Sequence, residues 1–265
     1  MITVVIRNKN EALALEKLLA LLDRFYKDDI HEIIIVDNES SDDSEQVVHK
    51  YGATLISIKN FTYGKALNLG ISKSTQPFIA LLSAHAYPLG DDFFKDSLKK
   101  FQLDDKIAGL RYINSFKDYE RFIENDGIIL EPLEYGMMNA CAMIRKSVWQ
   151  EFNYDERLMF SEDKLWSQQV TNYGYRIEQM RHAFFYNVKR NSSDLLERWS
   201  NETIAGLINH QRQPKSALKT LLIFLKEILW IGLKNYGTYV VHAFIRFKKR
   251  LGFKSRIKEY HNHNE

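Results

Sequence analysis

One cysteine, Cys141, in 265 residues leaves no partner for an intrachain disulfide and no set of thiolates for zinc. That usage fits a reducing compartment. Proline (4) and glycine (12) are scarce, which argues against a disordered chain. No basic stretch leading into a long apolar segment and a small-residue cleavage site opens the sequence, so secretion is not expected. The sequons at Asn38, Asn191 and Asn201 then read as chance matches, because glycosylation needs a secretory route. No uncharged apolar run approaches the roughly 20 residues of a bilayer span. Missing too are a Gly-x-Gly-x-x-Gly turn, a phosphate loop ending Gly-Lys-Ser/Thr, a His-Glu-x-x-His helix and a Gly-x-Ser-x-Gly elbow. These absences weigh against dehydrogenase, kinase, metalloprotease and esterase chemistry. A net charge of +3 does not by itself indicate nucleic acid.

What is present is a strand and helix alternation rich in aromatics, with 14 Tyr and 16 Phe. A chain of this length buries roughly 70–75% of its unfolded surface. Apolar runs at 2–6, 33–36, 54–58, 78–82, 107–113 and 139–144 predict strands, and 176–186 predicts one or two more. Leu13, Leu15, Leu18, Leu19 and Leu22 recur at helical spacing, and helices are also expected at 44–50, 91–101, 146–152 and from Met159 onward, stopped by Gly174. Residues 116–132 are too mixed to assign. The order predicts an α/β fold with a mainly parallel, Rossmann-like sheet flanked by helices, over residues 1–190. A helical C-terminal extension with a basic tail is expected over 191–265.

Several apolar strands empty into polar residues: Asn10 and Glu11 after the first, Asp37 after the second, His85 after the fourth. A further acidic pair, Glu162-Asp163, opens a helix. In open α/β sheets the carboxyl ends of the strands border the ligand crevice. Asp37, directly on a strand end, is therefore a candidate to accept hydrogen bonds from a base or ribose.

In this order the residues resemble the inverting glycosyltransferases of family 2, which have the GT-A fold. The resemblance covers about residues 2–185, through Ile2-Thr-Val-Val-Ile-Arg-Asn-Lys-Asn-Glu11, Ile33-Ile-Ile-Val-Asp-Asn-Glu-Ser-Ser-Asp-Asp-Ser44, Gly64-Lys-Ala-Leu-Asn-Leu-Gly70, Ser83-Ala-His-Ala-Tyr-Pro88 and Glu162-Asp163 with Leu165-Trp166. The fourth segment is similar to that of a rhamnosyltransferase-like branch, but His85 stands where the family usually has a metal-binding carboxylate. The resemblance implies Asp163 as catalytic base with Glu162 orienting it or the acceptor. It implies Arg7, Asn10, Glu11, Asp37, Gly64, Lys65, Asn68 and Ala84 as nucleotide contacts, and Gly136, Asn139 and Trp166 at the acceptor. A divalent ion, Mn²⁺ or Mg²⁺, would be held at His85 and His182, although Tyr186-Asn187 stand closer to the family's usual place for the second ligand.

The expected activity is transfer of a sugar from a nucleotide-diphosphate sugar to a hydroxyl of a glycan or lipid-linked acceptor in cell-surface polysaccharide synthesis. A different class of reading, prompted by His85, is a catalytically impaired GT-A protein that scaffolds such an assembly. Residues 217–247 are rich in Leu, Ile, Phe and Trp but broken by Lys219, Lys226, Glu227 and Lys234. The following segment carries Arg246, Lys248, Lys249, Arg250, Lys254, Arg256 and Lys258 without an acid. That pattern suits an anionic membrane surface, so a cytoplasmic location, peripheral on the inner face of the membrane, is expected. The tail lacks the interleaved aromatics of a single-strand binder, and nucleic acid is not expected.

Overall fold

The structure, a computed structural model, describes residues 1–158, 160–188, 192–209, 212 and 215–251. The elements run β1 (Ile2–Asn8), α1 (Ala12–Phe25), β2 (Ile30–Asp37), α2 (Ser44–Lys50), β3 (Thr54–Ser57), α3 (Tyr63–Lys73), β4 (Phe78–Ser83), β5 (Ala86–Pro88), α4 (Phe93–Leu103) and β6 (Ile107–Ile113). They continue as α5 (Phe116–Asn125), α6 (Pro132–Tyr135), β7 (Cys141–Arg145), α7 (Lys146–Glu151), α8 (Glu162–Asn172), β8 (Arg176–Tyr186), α9 (Ser192–Asn209) and α10 (Ala217–Lys226). A π-helical stretch, Glu227–Gly232, then leads into α11 (Leu233–Leu251).

The eight strands form one sheet in the order β3-β2-β1-β4-β7-β6-β8-β5. Pairings β3-β2, β2-β1, β1-β4 and β6-β8 are parallel, whereas β7 runs antiparallel to both β4 and β6, and β5 to β8. Successive strand residues face opposite sides, so both faces need cover. Val4, Ile6 and Ile35 pack with Leu15, Leu18, Leu19 and Leu22 of α1 and Phe93, Phe94 and Phe101 of α4. Val5, Ile34 and Val36 pack with Ala66, Leu67 and Ile71 of α3, Trp149 of α7 and Trp166 of α8. Gly70 lets α3 sit directly on the sheet, since a Cβ there would lie 2.3 Å from Val5 Cγ1. Cys141 is buried on β7, and burial pushes its thiol well up, which makes it an inert core residue.

Residues 116–132, unassigned from sequence, contain α5, capped by the Ser115 side chain accepting from Asp118 N, and the start of α6. The polar segment after β4 holds a short strand, β5, that pairs with β8. The helix expected from Met159 starts at Glu162, and Met159 itself lies outside the described residues. The chain divides into two compact units, Met1–His210 and Gln211–Glu265, so α9 is grouped with the first. Residues 190 and 191, where the division was expected, lie outside the described residues, as do Lys254, Arg256 and Lys258 of the basic tail. Among the described residues no helix is long and apolar enough to cross a membrane.

Candidate active site

Because β2, β1 and β4 are adjacent and parallel, their carboxyl ends share one rim, with Asn8 level with Asp37 and Arg7 level with Ser83. Asp37 is buried and accepts from Asn8 Nδ2 (2.8 Å), Ser40 N (2.7 Å) and Ser40 Oγ (2.7 Å). Asn8 Nδ2 also lies 2.9 Å from Ser44 Oγ at the start of α2. Asn10 has a left-handed backbone (φ 50°), a conformation that Asn tolerates better than most residues. From there its Oδ1 accepts from Ser41 N at 2.8 Å, clamping the loop after β1 to the loop after β2.

Above this rim lies a cleft of about 330 Å³, lined by Arg7, Asn8, Lys9, Glu11, Asn38, Phe61, Tyr63, Ser83, Ala84, His85 and Tyr186. Its charged groups are mainly cationic, and Arg7 lies over the Tyr63 ring with its guanidinium 5.0 Å from the centroid. His85 Nδ1 is 3.6 Å from Glu11 Oε2, and its ring meets Tyr186 edge-on at 5.9 Å. The β5-β8 pairing brings Tyr186 there, and Asn187 N donates to His85 O at 3.0 Å. A roomier depression of about 480 Å³ beside α6 and α8 is lined by Glu131 and Glu134 but by no Lys or Arg. That lining does not suit a diphosphate.

From the cleft wall a chain of hydrogen bonds leads inward. Arg7 Nη2 donates to Asn139 O (2.8 Å), Asn139 Nδ2 to Glu162 Oε1 (3.4 Å), and Tyr154 Oη to Asn139 Oδ1 (3.2 Å). Glu162 and Asp163 open α8 after Ser161, whose φ of 64° turns the chain sharply into the helix. Glu162 is buried at 6% exposure, and Asp163 is half-buried. Burial, and next the Asp163 carboxylate, push Glu162 up to about 7, against the pull of Arg7. Burial likewise lowers Lys164 to about 8, with Asp163 opposing the shift, and its Nζ donates to Gly136 O at 3.2 Å.

A raised carboxyl in the fold means that stability is full below the ordinary value of 4.5 and declines as the pH climbs to about 7. Glu162→Gln, which cannot ionise, should therefore gain on the wild type between pH 5 and pH 8, by on the order of 2 kcal/mol. Thermal melts across that range would check this. A wild-type-minus-variant difference that is flat with pH would contradict it.

The structure distributes the remaining candidates unevenly. Ala84 lines the cleft, whereas Lys65 Nζ is turned to Lys59 O at 3.1 Å. Gly64 packs on backbone, since a Cβ would meet Asp155 O at 2.6 Å. Asn68 spends both amide protons on Tyr154 O and Glu156 Oε1 and both acceptor positions on Trp149 Nε1 and Tyr154 N, which leaves none for a nucleotide. Gly136 allows a close approach by Ser167 of α8, not by a ligand. Trp166 is 1% exposed, donates to Phe152 O at 2.6 Å and packs on Tyr154, so its ring has no face for a sugar. His182 stands against Phe93 and 3.4 Å from Asp96, four residues along β8 from Tyr186, or about 13 Å at the usual strand rise. The cleft also takes in Asn8, Lys9, Phe61 and Tyr63, which the sequence does not single out, and Tyr186, which stands near the family's usual place for a second ligand. The signal for Asn8 was its place at the end of β1, opposite Asp37.

A sheet of this order, with a cationic cleft at the shared rim of β1, β2 and β4 and an acidic helix start behind it, defines a GT-A type α/β protein. A sequence model of the family described as Glycosyl transferase family 2 matches residues 3–160, and the chain belongs to that family. An uncharacterized glycosyltransferase of Mycobacterium bovis is 31% identical over 83 residues, which cover 31% of this chain and 36% of that protein. The chain thus spans about a third of the length of the curated relatives it matches. Among solved structures, a mannosyltransferase from Pyrobaculum calidifontis in complex with GDP-Man and Mn²⁺ superimposes with a TM-score of 0.65 at 15% identity, over 81% of this chain and 65% of that one. Glucosyl-3-phosphoglycerate synthase from Mycobacterium tuberculosis in complex with Mn²⁺ and UDP-Glc gives 0.61 at 15% identity, over 81% and 80%. At such identities these structures speak for the fold.

Proposed function

We propose that this chain is an inverting glycosyltransferase of a rhamnosyltransferase-like branch, moving a sugar from a nucleoside-diphosphate sugar to a hydroxyl of a glycan or lipid-linked acceptor in cell-surface polysaccharide synthesis. The observation that carries the reading is the cleft: Arg7, Lys9 and His85 meet at the strand rim, and Arg7 is tied through Asn139 to the Glu162-Asp163 pair. Asp163, the more exposed of the two carboxylates, takes the proton of the acceptor hydroxyl as its oxygen attacks the anomeric carbon. The bond to the diphosphate breaks on the opposite face, so the configuration inverts. Glu162, which burial pushes up to about 7, holds its proton more readily than an ordinary glutamate and lies beside Asp163 to orient it or the acceptor. Arg7 faces the negative charge that grows on the departing diphosphate, and Lys9, whose Nζ donates to the Asn38 and Glu39 carbonyls at the rim, adds positive charge nearby. Phe61 and Tyr63, packed edge to face at 5.2 Å, line the cleft and offer aromatic surface to a base.

The donor set at the rim fits a divalent ion. An imidazole and a carboxylate, His85 and Glu11, face each other at 3.6 Å. Among the described residues no group of three His, Cys, Asp or Glu is placed to hold a metal, and His85 and Glu11 are the pair that would hold the ion at this rim. When bound, the ion would offset diphosphate charge. One nitrogen in the set suits Mn²⁺ better than Mg²⁺.

Calorimetric titration of nucleoside diphosphates, with and without each ion, tests both parts. Binding should tighten with Mn²⁺ about tenfold more than with Mg²⁺, and His85→Ala should remove the difference. Failure of every nucleoside diphosphate and sugar nucleotide to bind would overturn the assignment. Binding without any donor turnover would instead favour the scaffolding reading prompted by His85.

A further inference from the structure

The segment from α10 through the π-helical stretch to α11 is helical for 35 residues, Ala217 to Leu251, or about 50 Å at the usual rise. None of its described side chains is buried. Leu222, Phe224, Leu229, Trp230, Leu233 and Tyr236 are each more than half exposed. A helix draws most of its stability from burying an apolar face, and exposed apolar area of this extent marks an interaction site. Lys219, Lys226, Glu227 and Lys234 interrupt the apolar residues, and no described helix qualifies as a membrane span.

Charge identifies the occupant. Residues 1–210 carry 25 Lys and Arg against 31 Asp and Glu, whereas residues 211–265 carry 12 against 3. The positive excess of the chain thus resides wholly in the unit that bears these exposed apolar residues. A second copy of the same helix would bring like charge against like charge, which opposes self-pairing. Tryptophan and tyrosine among the apolar residues suit a boundary where one side is wet and the other apolar. We propose that α10, the π-helical stretch and α11 dock in the plane of an anionic lipid surface, apolar side chains entering the headgroup boundary and Lys219, Lys226 and Lys234 lying among lipid phosphates. This rests on the C-terminal unit alone and does not need the catalytic reading.

The test is flotation of the full chain with phosphatidylcholine vesicles, with and without phosphatidylglycerol. Partitioning should be at least about tenfold stronger with the anionic lipid and should fall as salt is raised. Trp230→Glu should weaken it by about tenfold or more, and Lys226→Glu with Lys234→Glu should abolish the preference for anionic lipid. Unchanged far-ultraviolet circular dichroism and an unchanged thermal midpoint would establish that these variants remain folded. Equal partitioning to neutral and anionic vesicles, or none to either, would overturn the proposal. So would a dimer by light scattering that Trp230→Glu dissociates, since the face would then be an interface between copies.

Discussion

Asp163→Asn should cut sugar transfer by about 10²–10⁴-fold, the usual contribution of a positioned general base. Affinity for the nucleoside diphosphate should hold within about twofold, because Asp163 is absent from the cleft wall and the ties of Asp37, Asn8 and Arg7 do not pass through it. The substitution is nearly isosteric, and Asp163 Oδ1 already accepts from Lys164 N at 2.8 Å, a bond that the Asn oxygen can keep. The helix start should therefore survive, and the loss should fall on kcat. Turnover of a sugar nucleotide with acceptor, alongside calorimetric titration of the nucleoside diphosphate, would measure both. If KM for the acceptor rises while kcat stands, Asp163 binds the acceptor and does not take its proton. If Glu162→Gln proves the more damaging variant, the roles of the pair are reversed.

The rim was legible because it is local. Ile33–Val36 followed by Asp37, and Ile2–Ile6 followed by polar residues, announce buried strands with polar ends, and the parallel pairing then puts Asn8 beside Asp37. Ala84 and His85 reached the cleft for the same reason. Residues whose partners lie far along the chain were not legible in the same way. Asn68 looks like a polar residue available to a ligand, yet its amide bonds Trp149, Tyr154 and Glu156, more than 80 positions away. Trp166 shares a helix with Asp163, and helical spacing alone does not say which of the two meets the core. His182 and Tyr186 lie on one strand, but the short pairing of β5 with β8 selects Tyr186 for the cleft. Likewise α5 has a cap written in Ser115, but its anchor to β6 is a pair of charges that no periodicity announces.

That anchor yields the largest expected loss of stability. Asp118, 5% exposed, accepts from Arg111 Nη2 (2.7 Å), Arg121 Nη1 (3.0 Å) and Ser115 Oγ (2.8 Å). Burial alone would raise its carboxyl, but the Arg111 guanidinium and the hydrogen bonds outweigh it and hold it below the ordinary value. Asp118→Ala leaves Arg111, itself 4% exposed, as a buried charge without its counterion, which costs about 3–5 kcal/mol. Because the carboxyl is lowered in the fold, its contribution is present above the ordinary value of 3.8 and fades as the pH falls through the folded value. The gap between wild type and variant should accordingly narrow in acid. Replacing both partners, Arg111→Met with Asp118→Leu, should recover much of the loss, since a buried pair contributes little net over apolar residues of similar volume. Activity should follow a different course. Arg111 Nη1 and Lys164 Nζ both donate to Gly136 O, which joins the end of α6 to the helix that carries Glu162 and Asp163. The double variant, stable but without one of these two bonds, should keep a reduced kcat while nucleotide binding stays unchanged. Denaturant melts at pH 7 and pH 4, set beside kcat for both variants, would check the account. Strict additivity of Arg111→Met and Asp118→Leu, each melted alone, would refute the pairing, and full activity in the double variant would refute the link from β6 to the start of α8.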